Sequence, residues 1–215
     1  MNNTKKGKIM NELSQTLPHR IARPGDIFLL LVPSQEELIL LREKQQGLRS
    51  VYGGKVVNFV HITCERFSPD NGMEESFCIE YLRRNVTALS SFNLITEKLV
   101  QFYAPYWGKE VLRWQVKETD NYVQLRHILA ASLQETGCSS HFDLDRPTTC
   151  TALRLGERIN PKHEASFEIP PTLLFKANHV WVSKLIREDE FKILAKIRME
   201  DQSFLGYENI NNERD

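Results

Sequence analysis

The sequence predicts an α+β fold in which helices cover one face of antiparallel sheet, and three observations carry that prediction. Short apolar runs and amphipathic helical stretches follow one another in the order β-α-β-α-β-β-α-β, then further strands, the pattern of helices laid on antiparallel sheet. A strand–helix–strand unit near the start is echoed by a second one after residue 110. No low-complexity linker or long Gly/Ser run divides the 215 residues. They read as a single domain over 21–205, with polar tails at 1–20, where Lys5, Lys6 and Lys8 lie, and at 206–215.

Each element follows from local chemistry. Residues 26–32 form a short run rich in Ile, Leu and Val, the mark of a buried strand. Ser34 with Glu37 makes a capping box, each side chain satisfying a backbone donor at a helix start. The helix runs through about Leu48 and ends near Gly53-Gly54. A strand is predicted over 56–67. A second helix over 74–89 sets Cys78, Leu82, Val86 and Leu89 on one face. Strands over 93–103 and 110–116 flank a turn near Pro105 and Gly108. Asp120 is placed to cap a third helix carrying Leu125, Ile128, Leu129 and Leu133 on one side and closed by Gly137. A strand over 148–155 comes next. The stretches 173–185 and 191–199 suggest a terminal hairpin of strands, with 188–196 open to a helical reading.

Composition narrows the function. Hydrophobic residues make up 41%, and 28 basic residues balance 28 acidic ones. A neutral chain lacks the global field that draws proteins to duplex DNA or anionic membranes, so any phosphate it binds must meet a local site. Cys64, Cys78, Cys138 and Cys150 form no CxxC pair and no zinc-site spacing; they read as reduced, partly buried thiols of a cytoplasmic protein. No stretch approaches a membrane span, and the first twenty residues carry lysines without the apolar run of a secretory signal.

Of the six histidines, only His61 is followed two places on by a hydroxyl residue, Thr63. On a strand, residues two apart point the same way, about 6.6 Å apart along the chain. Phe59, His61, Thr63 and Glu65 would then share one face, and Val60, Ile62 and Cys64 the other. With the apolar set under the helices, His61 and Thr63 face the open side, where an imidazole beside a hydroxyl can grip a phosphate oxygen and exchange a proton with it. Taken alone, the motif is weak, and a half-buried strand histidine bonded to a neighbour is the better account of His61. The echo adds context. Thr149-Cys150-Thr151-Ala152-Leu153-Arg154, set beneath His61-Ile62-Thr63-Cys64-Glu65-Arg66, shares the threonine at the third place and the arginine at the sixth. Those arginines, Arg66 and Arg154, are either phosphate contacts or solvated strand ends.

Val60-His61-Ile62-Thr63-Cys64-Glu65-Arg66-Phe67 and Pro147-Thr148-Thr149-Cys150-Thr151-Ala152-Leu153-Arg154 resemble the two motifs of the two-histidine (2H) phosphoesterases, including the LigT-like RNA 2',3'-cyclic phosphodiesterases. The resemblance spans roughly 24–200 and takes in the helix at 121–136, Phe92 and the strand carrying Val111-Leu112-Arg113-Trp114. It implies two pseudo-symmetric lobes of antiparallel sheet, helices on their outer faces and a central cleft. It also implies a phosphodiesterase acting on cyclic or 2'-5' phosphodiesters of RNA ends or nucleotides, with no metal or cofactor. His61 would be a general acid or base; Thr63, Thr149 and Thr151 would hold oxygens, and Arg66 and Arg154 would contact phosphate.

One departure matters. Thr149 stands where the family has its second histidine, and a threonine hydroxyl does not trade protons near neutral pH. General acid–base catalysis contributes about 10²–10⁴-fold, or about 3–5 kcal/mol of barrier. Three readings stay open: His141 substitutes as the acid, the substrate's leaving group needs little protonation, or the site binds a nucleotide or phosphate without turning it over.

Other candidates have simpler readings. Tyr103, Tyr106 and Trp107 either stack a base or cap the core. His179-Val180-Trp181 packs in a late strand, His127 is solvated or edge-packed on a helix, and His19 and His163 are exposed. No Walker-type phosphate loop, HExxH, GxSxG or GxGxxG is present.

Overall fold

In the computed structural model, which describes residues 22–68, 75–104, 108–141, 147–156, 165–187 and 190–200, β1 (Ile27–Leu31) leads into helix α1 (Gln35–Tyr52). Ser34 Oγ accepts from the Glu37 amide and the Glu37 carboxylate accepts from the Ser34 amide, so the capping box is formed. β2 (Lys55–Val56) and β3 (Ile62–Ser68) follow, then α2 (Glu75–Val86), β4 (Phe92–Ala104), β5 (Lys109–Val116) and α3 (Asp120–Glu135). β6 (Ser139–Ser140), β7 (Thr149–Gly156), β8 (Ala165–Ala177), β9 (His179–Arg187) and β10 (Glu190–Arg198) complete the order.

The strands form one antiparallel sheet in the order β10-β9-β1-β3-β7-β5-β4-β8, with β2 added to β7 and β6 to β3. Its two halves meet at β3 and β7, whose recorded pairing is Ile62 with Cys150. The main core, on the helix-covered face, takes Leu41 from α1, Cys78, Leu82 and Val86 from α2, and Tyr122, Leu125, Leu129 and Leu133 from α3. The helices are exchanged between halves. α1, which follows β1, packs on β7 and β8, and α3, which follows β5, packs on β3 and β6. Among the described residues no helix is long and apolar enough to cross a membrane.

Three boundaries differ from expectation, each for a local reason. The strand anticipated over 56–67 divides, because 57–61 leave the sheet. The first two carbonyls are met by α1 side chains instead: Arg42 donates to Val57 and Asn58, and Gln45 donates to Val57. The stretch 173–185 also divides, at Asn178; Leu173 and Phe175 pair with β4, whereas 180–184 pair with β1. The terminal hairpin is β9–β10, and Glu190–Arg198 is strand, not helix. Finally, Thr119 and not Asp120 caps α3, its hydroxyl accepting from the Tyr122 amide at 3.4 Å. Gly54 sits at φ +82°, where its missing side chain lets β2 lie against the Arg154 carbonyl. Residues 1–20 and 206–215, His19, His163, Pro105, Tyr106 and Trp107 lie outside the described residues.

Candidate functional site

The pairing of Ile62 with Cys150 fixes the geometry. Both are fully buried on the helix side, so the residues flanking them, His61 and Thr63 on one strand and Thr149 and Thr151 on the other, turn to the opposite face. All four are partly exposed there. The two motif strands, 88 positions apart, are thus brought side by side at the midline of the sheet.

Beyond the threonines both strands carry a β-bulge. Leu29 pairs with Glu65 but Leu30 with Thr63, leaving Cys64 as an extra residue in β3. Leu112 pairs with Leu153 but Arg113 with Thr151, leaving Ala152 as an extra residue in β7. A bulge changes which face the following residues occupy. It turns Glu65 into the core, 1% exposed, which corrects its assignment to the open face. It also brings Arg66, opposite Phe28, and Arg154, opposite Val111, onto the face of the threonines. Because the strands are antiparallel, the two arginines flank the midline at opposite ends.

His61 is held from several sides. Its Nδ1 lies 3.0 Å from the Phe59 carbonyl; a carbonyl only accepts, so Nδ1 carries the proton and the neutral ring keeps its lone pair on Nε2. The ring lies 4.9 Å from that of Phe59 and 5.8 Å from that of Phe191. Phe59, Phe191, Phe28, Leu30 and Trp181 form a second, smaller cluster beside it. Lys196 Nζ stands 4.0 Å over the Trp181 ring.

On the other strand, Arg113 Nη1 donates to Thr149 Oγ1 at 3.1 Å, and its guanidinium lies 4.6 Å from the centre of the Phe102 ring. Sequence reasoning placed Arg113 on a middle strand and gave it no role. The usable signal is alternation: Leu112 and Trp114 turn into the helix-covered core, so Arg113 between them points to the open face.

Beneath the site, on the helix side, Thr148 Oγ1 donates to Tyr122 Oη at 2.9 Å, and the Tyr122 hydroxyl reaches Cys64. One buried tyrosine of α3 therefore ties both motif strands. Burial pushes the Cys64 and Cys150 thiols up to about 12, the Cys150 shift being partly offset by the Arg113 charge and a hydrogen bond from the His61 backbone. Neither thiol is a nucleophile at neutral pH.

The remaining histidines are engaged elsewhere. His141 Nε2 lies 2.9 Å from Ser68 Oγ, which bonds Asp26 Oδ1 at 3.0 Å. Ser68 is five residues beyond Thr63, about 15 Å along the strand, so His141 does not serve Thr149. His179 bonds Asn178, with its pKa lowered by burial and by Arg198 and Lys196. His127 is exposed on α3. Among the described residues no cluster of three or more His, Cys, Asp or Glu is arranged to hold a metal.

No protein-family model and no curated protein matches the sequence. Solved structures do match. A crystal structure of a phosphoesterase aligns with a TM-score of 0.58 at 16% identity, covering 83% of this chain and 100% of that one. The protein TT0787 of Thermus thermophilus aligns at 0.57 and 17% identity, over 82% of this chain and 99% of its own. E. coli LigT complexed with 3'-AMP aligns at 0.56 and 17% identity, over 83% and 100%. The chain shares the α+β fold of these structures, the fold of the two-histidine phosphoesterases.

Proposed function

We propose that the protein binds the phosphate of a nucleotide or short RNA end on the open face of β3 and β7 and acts there, in the cytoplasm and without a metal, as a phosphodiesterase on cyclic or 2'-5' linkages. The observation that supports this reading is the pairing of Ile62 with Cys150, beside which His61, Thr63, Thr149 and Thr151 are partly exposed. His61 presents Nε2 as a base, the three hydroxyls hold non-bridging oxygens, and Arg66 and Arg154 balance charge on the same face. The E. coli LigT structures with 3'-AMP, NADP+ and ATP lend support from the shared fold.

A second reading, a nucleotide- or phosphate-binding module without turnover, is favoured by the contact of Arg113 with Thr149, because neither group donates a proton at neutral pH. Turnover of nucleoside 2',3'-cyclic phosphates with and without EDTA separates the two. Metal-independent turnover lost in His61→Ala supports the enzyme. Saturable nucleotide binding, seen as a thermal shift, with turnover in neither protein supports the module. Neither turnover nor binding would sink both.

A further inference from the structure

We propose that Arg113 takes the part of the missing second proton donor by holding the departing oxygen as an anion, so that the site is matched to phosphoesters with acidic leaving groups, above all the phosphoanhydride of a dinucleotide or nucleoside polyphosphate. The proposal rests on the reading of this face as a phosphate site. Its own ground is the guanidinium beside Thr149.

Arg113 reaches that position by construction. It is paired with Thr151 on one side and Val100 on the other, so its strand cannot slide. Its side chain is held against the Phe102 ring and aimed at the Thr149 hydroxyl, 3.1 Å away. A guanidinium stays charged at all working pH and offers a planar fork of N–H donors that matches a phosphate edge. It can neutralise a developing negative charge and cannot give up a proton. The opposite wall differs: there Leu30 pairs with Thr63, and His61 offers a lone pair. The site is therefore polarised, with a base on one strand and a permanent cation on the other.

The chemistry follows from that asymmetry. His61 Nε2 takes a proton from water as the water oxygen bonds to phosphorus. The bond from phosphorus to the leaving oxygen breaks, and its electron pair leaves with that oxygen, whose charge Arg113 faces. The proton on His61 then passes to solvent. A ribose alkoxide is a poor group to expel unprotonated, whereas a phosphate monoester, with a second ionisation near about 6, departs readily as an anion. Lack of an acid costs about 10²–10⁴-fold for the first and little for the second.

The test compares three probes on the full chain: uridine 2',3'-cyclic phosphate, thymidine 5'-(4-nitrophenyl phosphate) and diadenosine pyrophosphate. The expected result is kcat/KM at least 100-fold higher for the aryl ester and the pyrophosphate than for the cyclic ester, all abolished in His61→Ala. Arg113→Ala should lower turnover of the two favoured probes by about 100-fold, with Arg113→Lys between it and the parent. Melting curves separate that loss from unfolding. Thr149→His should narrow the gap between aryl and cyclic esters by at least tenfold, which a merely structural role for Arg113 does not foresee. Equal, His61-dependent turnover of cyclic and aryl esters overturns the leaving-group proposal while the phosphoesterase reading stands. A well-folded Arg113→Ala protein with parental turnover of the aryl ester overturns it too. Failure to turn over or bind any probe removes both.

Discussion

Cys64 and Ala152 occupy the same place in the two halves of the sheet: each is the extra residue of a β-bulge directly after the threonine at its motif's third place. The two bulges let the following arginine rejoin the open face. They are anchored differently. Cys64 is reached by the Tyr122 hydroxyl, whereas the Ala152 carbonyl accepts from Gln45 Nε2 at 2.9 Å.

Gln45 is fully buried, with its Oε1 accepting from Arg42 at 2.8 Å. Replacing it by methionine keeps the volume and strips the Ala152 carbonyl of its side-chain donor. We expect Gln45→Met to cost about 1–3 kcal/mol, the penalty for a buried polar group left unpaired, in urea unfolding. Because the Ala152 bulge orients Arg154, the affinity for 3'-AMP should also fall. Unchanged stability would mean that the bulge holds itself.

Glu65 makes a pH-dependent test. Its Oε1 accepts from the Arg66 amide at 2.9 Å and from Ser140 Oγ at 2.7 Å, while Oε2 is buried with no hydrogen-bond partner. Burial raises its pKa above the ordinary 4.5, against the pull of Ser140 and the Arg66 amide. The folded state therefore keeps this proton to higher pH than the unfolded chain. Stability from this group is complete below 4.5 and is lost as pH rises through the raised folded value. Glu65→Gln keeps the Oε1 acceptor and removes the charge, so it should raise the melting temperature at pH 7 and flatten that part of the pH profile. A lower melting temperature at pH 7 would contradict the assignment.

The thiols supply a third test. Cys64 and Cys150 are fully buried with pKa values pushed up to about 12 from an ordinary 9.0, chiefly by burial. Because the folded state disfavours both thiolates, stability falls as pH rises from 9 toward 12. At pH 8 neither thiol should react with iodoacetamide in the folded protein, and both should react once urea unfolds it. Alkylation at the same rate in both states would show that the motif strands part readily.

Much of this was legible in the sequence. Ser34 with Glu37 announces its helix because a capping box is local, and Cys78, Leu82 and Val86 announce a buried face because periodicity is local. The alternation of Ile62 and Cys150 with their polar neighbours is likewise enough to turn His61, Thr63, Thr149 and Thr151 outward. What escaped depends on partners. A strict alternation continues through Cys64 and sends Glu65 outward; only the register against Leu29 and Leu30 reveals the extra residue. Residues 57–61 look like strand because their apolar content is real, but Arg42 and Gln45, from a helix fifteen or so residues earlier, take the Val57 and Asn58 carbonyls, and His61 Nδ1 takes that of Phe59. Arg113 was hidden for the same reason: nothing near it in sequence mentions Thr149.

The last test concerns the two nitrogens of His61. Nδ1 donates to the Phe59 carbonyl at 3.0 Å, so only Nε2 is left to take a proton. Asparagine places an amide N–H near the Nδ1 position and nothing at Nε2. We therefore expect His61→Asn to lose about 1 kcal/mol through the missing ring contacts with Phe59 and Phe191, while kcat falls by about 100-fold or more and KM barely moves. With Arg113 fixed in charge, the parent's kcat/KM should rise with pH along a single limb to a plateau, in place of the bell that a base and an acid produce together. A bell-shaped profile whose descending limb survives in Arg113→Lys would reveal a second titrating donor at the site, and the base would then not be working alone.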